Sequence, residues 1–231
     1  MSQSSGIVHT KGSIDLWRNG VHIGIVTSVD DPQSLGRVQV RLTAIDPGGD
    51  ALIWSRLAVP FAGDNYGAFL VPDIGTEVLV AFTAGDSGAP IVLGNMWNGS
   101  AQPPEALDND VVDRWSLSGK AGTRIAIEET ASGKELVEIE TPNGVKAKIT
   151  DEGGGKITLK AGSQTIKLSP SGVKVRSSGT VDIEGSTINL KASTINLQSP
   201  FTDAAGFVRC NVLISDAVLS SMYSPGIGNL W

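Results

Sequence analysis

The segment Gly85-Asp86-Ser87-Gly88-Ala89-Pro90 is the most chemically suggestive stretch of the chain. A serine between glycines, preceded by aspartate, is a setting that can present a hydroxyl as a nucleophile. Such a serine needs a histidine base and an acid that orients it. The chain has two histidines, His9 and His22, and too few residues separate His22 from Ser87 to build the walls of such a site. The segment also lies between two strand candidates, where a Gly/Asp/Ser/Gly turn needs no catalytic explanation. A hairpin turn is therefore expected at 85–90. No metal is expected at His9 or His22, because no His, Cys or Glu cluster surrounds them and a metal needs several convergent ligands. The carboxylate pairs Asp30/Asp31 and Glu128/Glu129 are adjacent in sequence. On a strand such neighbours point to opposite faces, so neither pair is a natural acid/base dyad. Ser118-Gly119-Lys120-Ala121-Gly122 lacks the spacing of a phosphate loop. Asn98-Gly99-Ser100 matches a glycosylation sequon but reads as a turn. No catalytic residue and no cofactor is expected.

The elements that would position any site are short strands. The 231-residue chain carries 28 Gly and only 5% aromatic residues, which argues against one large conventional core. Its formal net charge of −6 disfavours nucleic acid as the main partner. Cys210 is the only cysteine, so no disulfide can form within the chain, and it reads as a small buried hydrophobe. The first ten residues hold no apolar signal core, and no apolar run approaches membrane-spanning length. Synthesis in the cytoplasm without a signal peptide is the expectation.

Residues 1–20 read as an N-terminal arm. Residues 21–99 carry five strand candidates, Gly24–Val29, Arg37–Leu42, Ile53–Leu57, Glu77–Phe82 and Pro90–Gly94, separated by Asp/Pro/Gly turns. Val38, Val40, Leu42 and Val78, Val80, Phe82 alternate, giving one inward face per strand. Five strands in so short a stretch fit a small OB-type barrel. Residues 100–119, with Pro103-Pro104 and Asp108, Asp110 and Asp113, read as a linker.

From 120 to 200 one unit recurs: two apolar residues with one residue between them, then a polar or glycine break. The pairs are Ile125/Ile127, Val137/Ile139, Ile157/Leu159, Ile166/Leu168, Val173/Val175, Val181/Ile183, Ile188/Leu190 and Ile195/Leu197. From Ile157 on, successive pairs start 9, 7, 8, 7 and 7 residues apart. A single-chain solenoid needs roughly 20 residues or more per coil. The shorter period fits one strand per chain per layer, with three chains closing a triangle. The twelve apolar residues from Ile157 to Leu197 are then the trimer core, and Thr158, Lys167, Lys174, Asp182 and Asn189 face water. The lysines of this region, from Lys146 to Lys191, read as solvated outer faces that guard strand edges. Residues 201–231 read as a tip segment, with Tyr223, Leu230 and Trp231 as candidates for binding a capping partner. The fold class is all-β: a five-stranded OB-fold barrel followed by a triple-stranded β-helix.

The barrel segment resembles the OB domain of contractile-tail central spikes. The resemblance rests on Gly24-Ile25-Val26-Thr27-Ser28-Val29-Asp30-Asp31-Pro32, Leu35-Gly36-Arg37-Val38-Gln39-Val40-Arg41, Trp54-Ser55-Arg56, the run from Pro72 to Phe82, and Gly85-Asp86 with the run from Pro90 to Asn98. This family includes phage baseplate spikes and the valine-glycine-repeat spikes of type VI secretion. It implies a homotrimer whose OB domain docks on a hub and whose β-helix pierces the target envelope when a sheath contracts. Only the arm precedes the barrel, so a separate hub protein is implied. No His-x-His tip is present, so a separate PAAR-type tip protein is implied. The expected location is the baseplate of a virion or phage-tail-like particle, with transient contact to a target membrane. The alternative is a trimeric polysaccharide-degrading enzyme with carboxylates meeting between chains.

Overall fold

The computed structural model describes residues 20–45, 48–108 and 110–220. The chain divides into two compact units, Met1–Arg176 and Ser177–Trp231. His9, the arm up to residue 19, and the tip candidates Tyr223, Leu230 and Trp231 lie outside the described residues.

The first unit begins with a barrel. Its strands are β1 (Val21–Ser28), β2 (Val38–Leu42) and β3 (Leu52–Leu57), then a small hairpin of β4 (Ala62–Gly63) and β5 (Tyr66–Gly67), then β6 (Glu77–Phe82) and β7 (Pro90–Asn95). The closed order is β1-β2-β3-β7-β6, with β6 pairing back to β1. All pairs are antiparallel except β3 with β7. The five expected strands are thus present, each within three residues of its expected start. Their alternation buries Val26, Val38, Val40, Leu42, Val78, Val80, Phe82 and Val92, with Ile53 and Leu57 packed against them. Valine suits these positions because its branched side chain is stiff and packs well on a pleated surface.

Two local devices hold the barrel. The first is Gly24, buried opposite Leu42 on β2 and Val78 on β6. A Cβ there would lie 2.3 Å from Val40 Cγ1, so the strands can close only over glycine. The second is Asp31, in the loop between β1 and β2. Its carboxylate accepts hydrogen bonds from the backbone N–H of Gln33, Leu35 and Arg37 at 2.9 to 3.2 Å. It also receives the Arg37 guanidinium through Nε at 3.1 Å and Nη2 at 2.7 Å. Arg37 in turn lies 5.6 Å from the centroid of Trp54 on β3. One carboxylate therefore sets the whole loop, and the arginine ties that loop to the barrel wall.

The rest of the first unit is a seven-stranded antiparallel sheet. Its strands are β8 (Arg114–Ser118), β9 (Arg124–Glu128), β10 (Leu136–Glu140), β11 (Lys146–Thr150), β12 (Lys156–Ala161), β13 (Gln164–Ser169) and β14 (Gly172–Arg176), paired in sequence order. The stretch read as a linker therefore ends in a strand, β8. Between Arg124 and Arg176 each strand folds back on its predecessor. The turns explain this. Gly122 N–H donates to Gly119 O, and Gly144 N–H to Thr141 O, both at 2.9 Å. Gly122 and Gly144 sit at φ +92 and +75, a left-handed conformation that reverses the chain in place. In the second unit no described residue lies in a strand.

Two predictions follow from the barrel. Gly24→Ala forces a methyl into the Val40 side chain, and overpacking of this kind costs about 1–3 kcal/mol. Chemical denaturation of the variant checks it, and unchanged stability contradicts the packing account. Arg37 foremost, and then the three N–H donors, hold the Asp31 carboxyl well below the ordinary carboxylate range against the opposing effect of burial. The carboxylate's contribution is then complete above the unfolded-chain value of about 3.9 and is lost as pH falls through the lower folded value. Asp31→Asn should lower the thermal midpoint at pH 7, and the gap to the parent should close as pH drops below about 4.

Candidate assembly interface

Among the described residues, the sequence's chemical candidates hold turns, rings and ion pairs. Asp86 N–H donates to Thr83 O, Gly88 N–H to Asp86 Oδ1 and Ala89 N–H to Asp86 O, at 2.9 to 3.0 Å. Ser87 therefore sits in a tight turn between β6 and β7, as expected. His22 lies on β1 with its ring edge-on to Phe82, 5.9 Å between centroids. Asn98 closes its own turn by accepting from Ser100 and Ala101 N–H through Oδ1, at 2.9 and 2.8 Å. Several carboxylates on and beside the sheet are held by cations. Arg124 contacts Glu105 at 3.0 Å, Glu128 at 2.6 Å and Glu138 at 3.9 Å, while Lys146 contacts Glu138 at 3.1 Å and Glu140 at 2.9 Å. Glu105 is held below its ordinary range, chiefly by Arg124, and Lys146 above its own, chiefly by Glu140. Among the described residues no group of three or more His, Cys, Asp or Glu side chains could hold a metal ion, and no helix is long and apolar enough to cross a membrane. Cys210, read as a buried hydrophobe, is exposed.

What the sheet does bring together is its apolar residues. Pairing aligns them in two rows that run across all seven strands. One row is Trp115, Ile127, Val137, Ile149, Ile157, Leu168 and Val173. The other is Leu117, Ile125, Ile139, Ala147, Leu159, Ile166 and Val175. Both rows lie on one face, because each member is separated from its strand-mate by a single residue. The other face carries the intervening polar residues, Thr158, Lys167 and Lys174 among them. The large side chains of the apolar rows are 38% to 68% exposed, whereas the barrel core is at most 8% exposed. An antiparallel sheet ordinarily packs one face and solvates the other. Here no described residue of the first unit covers the apolar face.

Half of the expected core residues stand in these rows: Ile157, Leu159, Ile166, Leu168, Val173 and Val175. The structure adds Trp115, Leu117, Ala147 and Ile149, which are not among the apolar pairs of the sequence repeat. Ala147 is too small to register as apolar in a pattern, and Trp115 lay in a stretch dominated by Pro and Asp. Ala147 stands between Ile139 and Leu159 and leaves a hollow there, walled also by Val145 and Ile166. The other six, Val181, Ile183, Ile188, Leu190, Ile195 and Leu197, belong to the second unit, outside any strand, and are 50% to 72% exposed.

The barrel has an exposed apolar surface of its own. Phe61, Tyr66, Phe69 and Leu70, around the β4–β5 hairpin, are 56% to 85% exposed and frame a concavity shared with Leu35 and Val71. Large exposed patches of this kind mark protein contact sites.

Comparison with known proteins agrees with this geometry. Residues 22–97 match the family described as the type VI secretion system/phage-baseplate injector OB domain. Over 72 residues the chain is 36% identical to the type VI secretion system spike protein VgrG1c of Pseudomonas aeruginosa, covering 30% of this chain and 10% of that protein. It is 28% identical over 88 residues to the spike protein VgrG3 of Vibrio cholerae, covering 36% of this chain and 9% of that protein. It is 32% identical over 88 residues to the actin cross-linking toxin VgrG1 of Vibrio cholerae, covering 36% and 8%. The chain thus spans about a tenth of the length of the curated relatives it matches. The barrel of residues 22–97 matches the injector OB domain, and through it the chain is similar to the spike proteins of type VI secretion systems.

Proposed function

We propose that the chain is the central spike of a contractile tail or injection particle, and that it works as a homotrimer without enzymatic activity. The observation that carries this is the uncovered apolar face of the seven-stranded sheet. Burying one half-exposed aliphatic side chain is worth on the order of 1 kcal/mol. About a dozen per chain give a driving force comparable with the roughly 4–15 kcal/mol that association consumes. Three copies of the sheet, faces inward, make a prism with a dry axis, and each hollow at Ala147 offers space for a neighbour's side chain. A twofold sandwich would cover the same face. The second unit favours three: its pairs recur every seven residues with no strand partner among the described residues, which suits chains that take turns around an axis.

The mechanical role follows from the bonding. Strands that lie across an axial load share it over many backbone hydrogen bonds. An apolar axis common to three chains prevents any one of them from fraying alone. In this reading the exposed aromatic cluster of the barrel meets the hub, the 100–113 segment joins head to shaft, and the tip candidates Tyr223, Leu230 and Trp231 meet a separate tip protein. The particle's baseplate is the location it fits. Ion pairing of Glu105, Glu128, Glu138 and Glu140 speaks against the polysaccharide-degrading alternative, since a glycosidase needs carboxyl groups free to exchange protons.

Neighbouring residues on opposite faces test the reading. Ile157→Asp places a charge on the inward face, and Thr158→Asp places the same charge on the outward face. Light scattering should find assembly lost in the first and kept in the second. Assembly that survives Ile157→Asp as well as Thr158→Asp would remove the basis of the proposal.

A further inference from the structure

The outer face of the sheet changes character along its length. On β9 and β10 its charges are mixed, and Arg124 and Lys146 tie acids together. From β11 to β14 every charged outer position is basic. Lys146 and Lys156 have carboxylate partners there, Lys156 with Glu152 at 3.6 Å. Lys167, Lys174 and Arg176 form no ion pair among the described residues.

These three cations are crowded together. Lys167 on β13 is the direct cross-strand partner of Lys174 on β14, and Arg176 follows two residues later on the same face. Like charges directly opposite on a sheet destabilise it. Acids were not scarce in a chain with 24 Asp and Glu against 18 Lys and Arg, so composition does not impose the arrangement. The three cations share a concavity of about 150 Å³ with Thr165, Ser169 and Ser171. Ser169 Oγ and Ser171 Oγ, both in its lining, are 2.8 Å apart. The site therefore offers a guanidinium fork, two ammonium groups and three hydroxyls, with no carboxylate among its walls.

We propose that this concavity binds a phosphoryl anion. The guanidinium fork matches two phosphate oxygens, the ammonium groups supply point charge, and the hydroxyls can donate to the remaining oxygen. A bound anion would relieve the Lys167/Lys174 repulsion. The phosphate can be that of a lipid headgroup or a free ion, since both present the same oxygens. The site lies within one copy of the chain, so it does not depend on the trimer.

The experiment uses the full chain with two probes. One is inorganic phosphate, followed by titration calorimetry. The other is flotation with phosphatidylcholine vesicles, with and without phosphatidylglycerol, at low and high salt. At least one phosphate-bearing probe should bind, more weakly at high salt. Lys167→Gln with Lys174→Gln should weaken that binding at least tenfold, while Lys148→Gln, outside the concavity, should change it less than threefold. Binding to phosphatidylglycerol vesicles alone assigns the site to lipid headgroups, and binding of inorganic phosphate assigns it to the free ion. The proposal falls if neither probe binds, or if the double variant binds like the parent. It also falls if Lys148→Gln loses as much as the double variant, which would mean diffuse charge and no site. Solution mass is read on the same samples and should be unchanged by either set of substitutions. A failure to bind is thereby separate from a failure to assemble.

Discussion

A sheet with one apolar face cannot stand alone in water, and everything about the seven-stranded sheet depends on how that face is covered. The two apolar rows across β8 to β14 are continuous, half exposed and on one side. The outer side spends its polar residues on ion pairs, lysines and hydroxyls, so it has no use for a second layer. No described residue of the first unit supplies the missing layer, and in the proposed trimer the other copies supply it. The same constraint holds in the second unit, where the paired apolar residues have neither a strand partner nor a covering surface among the described residues.

The barrel obeys the opposite logic. Its closure needs nothing from a partner, because β6 pairs back to β1 and the valine core is dry. What it needs is close approach at Gly24 and a fixed loop at Asp31. One ion pair links the sheet to it: Lys120, in the first turn of the sheet, meets the Asp73 carboxylate beside β6. A self-sufficient barrel followed by a sheet with an uncovered face fits the proposed division into hub-binding head and trimeric shaft.

Much of this was legible from residues alone, and the limits have physical causes. Period-two alternation marks which residues share a face, so the barrel strands and the pairs from Ile125 to Val175 could be read directly. Alternation does not say which strand lies next to which. A repeat of 7 to 9 residues is the length of a short strand plus a turn, whether the turn carries the chain around an axis or folds it back. The fold-back at 119–122 and 141–144 hung on glycines at positive φ, which look like any other break in a sequence. Ala147 was invisible because a small residue gives no hydrophobic signal. The Asp31 cradle was hidden for another reason: adjacent acids suggest chemistry, whereas this one is consumed in holding a loop. The outer-face cations were legible as lysines, but their crowding at Lys167 and Lys174 appears only once β13 and β14 are in register.

The central claim is that three copies cover one another's apolar faces. Sedimentation equilibrium of the full chain at micromolar concentration tests it most directly. The account predicts a single species of three times the 24.0 kDa chain mass, without dissociation on dilution. A well-folded species of one chain mass, or of two, would contradict it.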